Sequence, residues 1–363
     1  MKVDKSVYHI IGLMSGTSLD GLDIAYCQFI INNKKIDFTI VYADTIEYSS
    51  EWKQYLLSLE SANAVFFNEA DRKIGQFFGE NVRKFIQKYE IEELDFVSSH
   101  GHTIFHQPEK NFTVQVGHGA ALAAACGYAV VCDFRSKDVA LGGQGAPLVP
   151  IGDQLLFENY QFCLNLGGFA NISFTKNNQL LACDIVPANI VLNALAQKLG
   201  HEYDDEGSLA ASGNIISDLL SHLDELAFYE NEAPKSLGNE WVLREIFPIL
   251  EKYNHLAVID ILATFCEHIS NQISKIVLKN LPTHQDCKML ATGGGAFNTF
   301  LIAAINKKLA GKCSIIIPSE KTVKFKEALI FALLGLLRTR EERNCIKSVT
   351  GASIDNIGGC IYL

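Results

Sequence analysis

The chain opens with an apolar run at residues 8–14, breaks into a polar turn, Ser15-Gly16-Thr17-Ser18-Leu19-Asp20-Gly21, and resumes as an apolar segment over 24–31. This pattern predicts two strands joined as a β-hairpin. Residues 37–48, rich in Ile, Val and Thr, predict a third strand. The period then becomes helical over 51–60 and 65–90. Phe66, Ala70, Ile74, Phe77, Phe78, Val82 and Phe85 recur at helical spacing and predict a stripe facing the core. A buried strand from Leu94 runs into the polar, glycine-hinged stretch Ser99-His100-Gly101-His102-Thr103. A helix at 119–126 and a strand at 129–132 follow.

The second half repeats the opening form. An apolar strand from Phe162 reaches Asn165-Leu166-Gly167-Gly168 and returns through Asn171 to Phe174; a strand at 180–184 is predicted to end at Asp184. Two such hairpins, one per half, are the internal echo expected of a duplicated fold. Helices are predicted at 190–199, 208–228 and 257–280, with the acidic stretch 203–207 read as a solvated turn. A strand at 288–291 runs into Thr292-Gly293-Gly294-Gly295 and a helix at 299–309, and a strongly apolar helix covers 325–340.

Composition narrows the class. The 363 residues suffice for about two domains. Hydrophobic residues make up 48% and charged ones 20%, the balance of an ordinary soluble globular protein. No apolar run is long enough to span a bilayer, and the N-terminus carries no signal-peptide pattern. A net charge of −10 argues against sequence-independent nucleic-acid binding and against an anionic membrane surface as partner. The ten cysteines are scattered and form no Cys-x-x-Cys, which predicts reduced, mostly buried thiols and a cytoplasmic location.

Chemistry concentrates in the turns. In the first hairpin Gly16 and Gly21 are expected to let the backbone turn and present N–H groups, with Thr17 and Ser18 adding hydroxyls. Asp20 and Asp23 supply the oxygens that a phosphate-bound Mg2+ needs nearby. The turn is not a P-loop, because Gly-x-x-x-x-Gly-Lys-Ser/Thr is absent; a plain hairpin turn is the alternative. His100, His102 and His106 lack the spacing of a helical metal site, and polar groups beyond a strand's end more often contact a ligand. Arg135 is either a clamp for an anion or one half of an ion pair with Asp138. The glycine-rich loop 142–147 follows it, and a domain boundary is expected near here. Three glycines at 293–295, between strand and helix, allow a flat group such as an adenosine to approach the backbone. Asp184, beside a helix start, is either a general base or a helix cap.

Together these turns resemble the sugar kinase/Hsp70/actin superfamily, and within it the anhydro-N-acetylmuramic acid kinase family. The resemblance is carried in order by Gly12 to Gly21, Ser99 to Thr103, Asp133-Phe134-Arg135 with Gly143 to Pro147, and Asn165 to Gly168 with Ala170-Asn171. It continues through Pro234-Lys235-Ser236, Thr292 to Gly295 with Asn298, Lys326-Glu327-Ala328 and Thr350-Gly351-Ala352, nearly the whole chain.

The resemblance implies an α/β fold of two ribonuclease-H-like (actin-like ATPase) domains flanking a central cleft, with residues 1–131 plus 346–363 in one and 132–345 in the other. It implies a kinase that opens the 1,6-anhydro ring of anhydro-N-acetylmuramic acid with water and phosphorylates O6, using ATP and Mg2+ in cell-wall recycling. ATP and an anhydrosugar are then the partners, and a homodimer is compatible with the family. By position, Gly16, Thr17, Ser18, Leu19, Asp20, Gly21, Leu22 and Asp23 would hold ATP phosphates, with Asp20 nearest the metal. Asn165, Gly167 and Gly168 would face the phosphates, and Gly293, Gly294 and Gly295 would pack on adenosine. Ser15, His100, Thr103 and Arg135 would contact the sugar. Asp184 would be the base that deprotonates the attacking water, and Glu327 would help position the water or the anomeric centre.

Two departures stand out. The family usually reads Asp-Thr-Gly-Pro-Gly-Asn around its base; here the stretch is Asp184-Ile185-Val186-Pro187-Ala188-Asn189. Val186 disfavours a positive φ and is expected to crowd a bound sugar or phosphate. His102 stands where the family has Gln. These changes leave two alternatives: a kinase for another 1,6-anhydrosugar such as levoglucosan, or a catalytically impaired nucleotide-binding regulator.

Overall fold

The computed structural model describes residues 5–33, 35–233, 235–282 and 286–363. The chain divides into two compact units: residues 1–156 with 325–363, and residues 157–324. The contacts thus place the boundaries after Leu156 and before Phe325 rather than at 131/132 and 345/346. The second boundary falls where the long helix Glu320–Thr339, begun earlier than expected, leaves helical geometry at Phe325 (φ −111°, ψ 15°).

The first unit is built on β1 (Val7–Ser15), β2 (Gly21–Asn32), β3 (Lys35–Glu47), β4 (Phe96–Gln107), β5 (Phe112–Val116) and β6 (Val130–Cys132). Across its sheet the order is β3-β2-β1-β4-β6, then the C-terminal strand Cys360–Tyr362, with β5 paired to β4. β2 is antiparallel to both β1 and β3; β4 and β6 are parallel to β1. The helices Ala64–Lys88 and Gly119–Cys126 cover one face, where Ile74, Phe78, Val82 and Phe85 pack with Ile11, Leu13 and Ile24. From Ala70 to Phe85 the predicted stripe is therefore core, with Phe77 at its partly buried edge, while Phe66 at the start of the helix is exposed.

Gly12 and Gly335 let the helix Glu320–Thr339 lie against the sheet. A Cβ on Gly12 would sit 1.9 Å from the Ala328 carbonyl oxygen, and one on Gly335 would meet Ser98 Oγ at 2.5 Å. Ser98 Oγ also donates to the Phe331 carbonyl. Fully buried Ala328, Leu329, Phe331 and Ala332 form this contact side.

The second unit repeats the topology with β7 (Phe162–Leu166), β8 (Phe169–Lys176), β9 (Gln179–Pro187), β10 (Lys288–Thr292) and β11 (Ser314–Ile316), ordered β9-β8-β7-β10-β11. Here too the hairpin strands are antiparallel, and β10 and β11 run parallel to β7. In each unit three antiparallel meander strands are followed by two strands parallel to the first, the ribonuclease-H-like arrangement; this shared path realises the internal echo read from the hairpins, and the first unit adds β5 and the C-terminal strand. The helix Val258–Lys279 supplies much of the core through Ile261, Phe265, Ile269 and Ile273.

Several local expectations are corrected. The segment 208–228 breaks into Ser208–Ala211 and Ser217–Asp224; between them the Asn214 and Ile216 N–H groups donate to the side chains of Asp260 and Thr264 instead of continuing a helix. The acidic turn is not simply solvated: buried Asp204 accepts the Leu209 and Ala210 N–H groups. Short helices Ser136–Ala140 and Val149–Leu156 flank the glycine-rich loop. Of the motif Pro234-Lys235-Ser236, Pro234 lies outside the described residues. Among the described residues the cysteines form no disulfide and are mostly buried, with Cys360 exposed.

Candidate functional site

In the first unit the turn after β1 differs from its expected geometry. Leu19, not Gly16 or Gly21, has the left-handed backbone (φ 60°), and its N–H closes the turn on the Gly16 carbonyl at 3.2 Å. Gly21 is required for another reason: a Cβ there would lie 2.4 Å from the Ile46 carbonyl oxygen of β3. Thr17, Ser18 and Asp20 are exposed, and Leu22 is buried in the core. Tyr48 N–H donates to the Asp20 carbonyl. This leaves an open polar turn held against the end of β3.

Asp23 faces Thr45 across the β2–β3 pair and accepts its hydroxyl proton at 2.6 Å. Burial pushes the Asp23 carboxyl up to about 6, against the lowering by Thr45; the Glu327 and Asp20 charges push it further. Ser15 is 1% exposed, and its hydroxyl bonds Tyr48 Oη (2.7 Å) and His102 Nδ1 (2.9 Å). This hydroxyl is committed to the fold. Burial lowers His102 to about 4, so the ring is neutral. Thr103 accepts from Gln115 Nε2 at 3.3 Å.

Arg135 and His100 lock together. Arg135 Nε donates to His100 Nε2 (3.0 Å) and Nη1 to the Gly145 carbonyl (2.6 Å). His100 Nε2 is therefore an acceptor, and Nδ1–H is directed at the Gly101 carbonyl, 3.0 Å away. Burial, then the Arg135 cation, holds His100 well below the ordinary histidine range. Arg135 itself drops to about 10 through burial, still a cation at neutral pH. It is not paired with Asp138, which instead accepts hydrogen bonds from Gly145 N–H, Thr350 and Asn356. Glu327 sits at the start of the helical run after the Phe325 break, its side chain exposed. Surrounding protein raises its carboxyl, while the Lys326 and Arg135 cations lower it. Beneath it, buried Lys326 pairs with buried Asp153 at 2.7 Å. Asp20, Asp23, Glu327, Arg135 and His100 thus form one coupled set on this unit.

The second unit gathers the others. Gly293 (φ 80°) presses on the β7 end, where a Cβ would lie 2.6 Å from Asn165 Oδ1. Asn189 Nδ2 donates to the Leu166 carbonyl (3.1 Å), and a Cβ on Gly295 would meet Asn189 Oδ1 at 3.1 Å. The carbonyls of Gly167 and Gly168 take the N–H groups of Ala188, Asn189 and Ile190, so the hairpin turn itself closes the start of helix Asn189–Gln197. Asn298 caps the helix Thr299–Leu309.

Asp184 does not end its strand, and it caps no helix. β9 continues to Pro187, because Ile185 and Val186 are apolar enough to stay in the core, both fully buried. Pairing goes from Asn171↔Asp184 to Ala170↔Val186, so Ile185 is the extra residue of a bulge. Val186 has no positive φ and packs inward, which answers the expected crowding. The register aligns Asp184, Asn171, Asn165 and Thr292 in one cross-strand row over β9, β8, β7 and β10. The Asp184 N–H donates to the Lys235 carbonyl, and one carboxylate oxygen accepts Leu237 N–H at 2.8 Å. Burial raises this carboxyl against that bond.

Asn171, Asn189, Thr45, Asp138 and Asp153 were missed as site-building residues by sequence reasoning. Asn171, Asn189 and Asp138 lay inside or beside family motifs, the one signal available.

The donor set suits a hard cation held partly by other groups. Asp20 and Asp23 offer carboxylate oxygens, and among the described residues no cluster of three or more His, Cys, Asp or Glu forms a complete metal cage. Among the described residues no helix is long and apolar enough to cross a membrane.

The chain is 29% identical over 373 residues to anhydro-N-acetylmuramic acid kinase of Bacillus thuringiensis (strain Al Hakam), covering 95% of this chain and 96% of that one. It is 32% identical over 376 residues to the Pasteurella multocida (strain Pm70) protein of the same name, covering 99% and 97%. Among solved structures it is similar to the activator of the 2-hydroxyisocaproyl-CoA dehydratase from Clostridium difficile with bound ADPNP. That similarity has a TM-score of 0.45 at 14% identity and covers 92% of this chain and 96% of the other. The model of the anhydro-N-acetylmuramic acid kinase family matches residues 8–363, and the chain belongs to that family.

Proposed function

We infer that this chain is an ATP-dependent kinase that opens the 1,6-anhydro ring of anhydro-N-acetylmuramic acid and phosphorylates O6. The observation that carries the reading is the family match over residues 8–363. In the reaction the water oxygen bonds to C1, the C1–O6 bond breaks, and O6 takes the γ-phosphoryl group as ADP leaves. The water's proton goes to a base, for which Asp184 is our choice. Its half-buried position, and the burial that raises its carboxyl and so its basicity, support that choice.

The exposed turn at Thr17, Ser18 and Asp20 supports a phosphate-binding role, and the close packing of Gly293 on Asn165 supports a flat-group site at the β10 end. Asp20 and Asp23 would hold Mg2+, which supplies charge neutralisation on the phosphates. Arg135, cationic and oriented by two bonds, supports recognition of the lactyl carboxylate of a muramic sugar. Glu327, coupled to Arg135, is placed by this reading near the anomeric centre.

The test is incubation with ATP, Mg2+ and either anhydro-N-acetylmuramic acid or levoglucosan, read by mass spectrometry for a gain of water plus phosphate. Turnover of the muramic sugar is expected; turnover of levoglucosan alone would replace it as substrate. Asp184→Asn should lower turnover by about 100-fold, the usual worth of a positioned base, with ATP affinity by calorimetry unchanged. Near-normal turnover in that variant would remove Asp184 from the mechanism.

A further inference from the structure

We propose that Asp138 is a positioning residue for anion recognition: it fixes Gly145, and the Gly145 carbonyl fixes the guanidinium of Arg135. The proposal rests on the reading above that Arg135 takes the substrate's carboxylate. Gly145 is gripped from both sides of its backbone. Its N–H donates to Asp138 Oδ2 at 2.9 Å, and its carbonyl accepts from Arg135 Nη1 at 2.6 Å. With Arg135 Nε on His100, the planar guanidinium is held at two of its nitrogens, and its direction follows wherever Gly145 goes.

Asp138 is well suited to hold that loop still. It is 0% exposed, and its second oxygen accepts from Thr350 Oγ1 and Asn356 Nδ2, both at 2.9 Å. The Gln144 N–H adds a bond to the Thr350 carbonyl at 2.7 Å. Gly143 lies directly over the carboxylate; a Cβ there would be 2.2 Å from Oδ2. Gly145 likewise has no room for a side chain: its φ is 68°, and a Cβ would lie 2.7 Å from Val139 Cγ2. The glycine-rich loop is therefore shaped around one buried carboxylate that is saturated by donors. This also accounts for the Thr350-Gly351-Ala352 motif, whose first residue supplies a donor.

The role is geometric rather than electrostatic, and that separates two variants. Asp138→Ala removes the acceptor for Gly145 N–H and frees the loop. Asp138→Asn keeps a carbonyl oxygen for Gly145, and Asn356 can turn its amide, whose oxygen bonds no described residue, to meet the new NH2 group. Asp138→Ala should raise KM for anhydro-N-acetylmuramic acid by about tenfold or more, as expected for lost uniform binding, with KM for ATP unchanged. In an Arg135→Gln background the same change should add almost nothing, because the two act as a unit. Asp138→Asn should keep the sugar KM within about threefold.

If Arg135→Gln alone leaves the sugar KM unchanged, the reading of Arg135 fails. If Arg135→Gln raises it but Asp138→Ala has no effect, or a fully additive one, this proposal fails and that reading stands. Should the alanine variant not fold, the isosteric asparagine variant decides: retention supports the geometric role, and a tenfold rise in sugar KM overturns it.

Discussion

Gly12→Ala tests the link between the fold and the candidate site. Gly12 lies in β1, and the added Cβ would sit 1.9 Å from the Ala328 carbonyl oxygen, 2.9 Å from its carbon and 3.0 Å from Ala332 Cβ. Both alanines are fully buried, and the nearest atom is backbone, so no side chain can swing away. Restoring ordinary contact requires the helix to retreat from the sheet by more than about 1 Å in an interior packed near crystal density. Overpacking of this kind costs about 3 kcal/mol, the upper end of its usual range. For a unit of this size that lowers Tm by roughly 6–12 °C. Ala328 adjoins Glu327, so the retreat also displaces that carboxylate, and a 1 Å misplacement is worth about 100-fold in turnover. The assay is thermal unfolding by calorimetry, with steady-state turnover on folded protein well below the transition. A Tm within about 1 °C of the parent, with unchanged turnover, would refute this account of helix placement.

Other outcomes follow from single contacts. Lys326→Met should destabilise by about 3–5 kcal/mol, since it takes the cation from buried Asp153, and adding Asp153→Leu should recover most of the loss in a denaturant melt. Gly293→Ala combines a strained φ with a Cβ 2.6 Å from Asn165 Oδ1 and should raise KM for ATP about tenfold or more with sugar KM unchanged; an unaltered ATP KM would separate Gly293 from the nucleotide. Asp23, with its carboxyl pushed up to about 6, is ionised above that pH, so kcat/KM should fall as pH drops through about 6; Thr45→Val, which deletes the bond lowering this pKa, should move the limb upward, and an unmoved limb would assign it to another group. The sign for stability is opposite: a folded pKa above the ordinary 3.8 means that this carboxyl favours the folded state at low pH and ceases to do so as pH rises through about 6.

The strands, the two hairpins and the triple glycine were legible because period and glycine spacing are local signals. Their repetition foretold the doubled topology, which the strand path shared by the two sheets bears out. What was hidden depends on partners distant in sequence. Asp138 reads as a possible partner for nearby Arg135, yet its bonds go to Thr350 and Asn356, 212 and 218 positions away. Gly21 reads as a turn glycine and Gly12 as part of a motif, but each is small because another backbone, at Ile46 or Ala328, passes over it. Leu19 takes the left-handed conformation that composition would have given to a glycine, a case of the turn's closure overriding local preference.

The stretch after Asp184 shows why a departure from a family pattern has to be weighed in three dimensions. Replacing glycines by Val186 and Ala188 reads as crowding if the strand ends at Asp184 and the following residues line a ligand site. The strand does not end there. The bulge at Ile185 breaks the alternation of sides, so Ile185 and Val186, adjacent in sequence, are both buried in the same core as Leu166, Ala170 and Leu192. Their bulk is absorbed by packing, while Asp184 stays in register with Asn171 and Asn165 and is held by Leu237 N–H. The motive for reading the chain as an impaired regulator was a steric one, and that steric conflict is absent from the backbone these residues adopt. If Asp184 is the base, as proposed, its competence depends on the bulge that sets its register, so a change at Ile185 that shifts β9 by one residue would do more harm than the missing glycines.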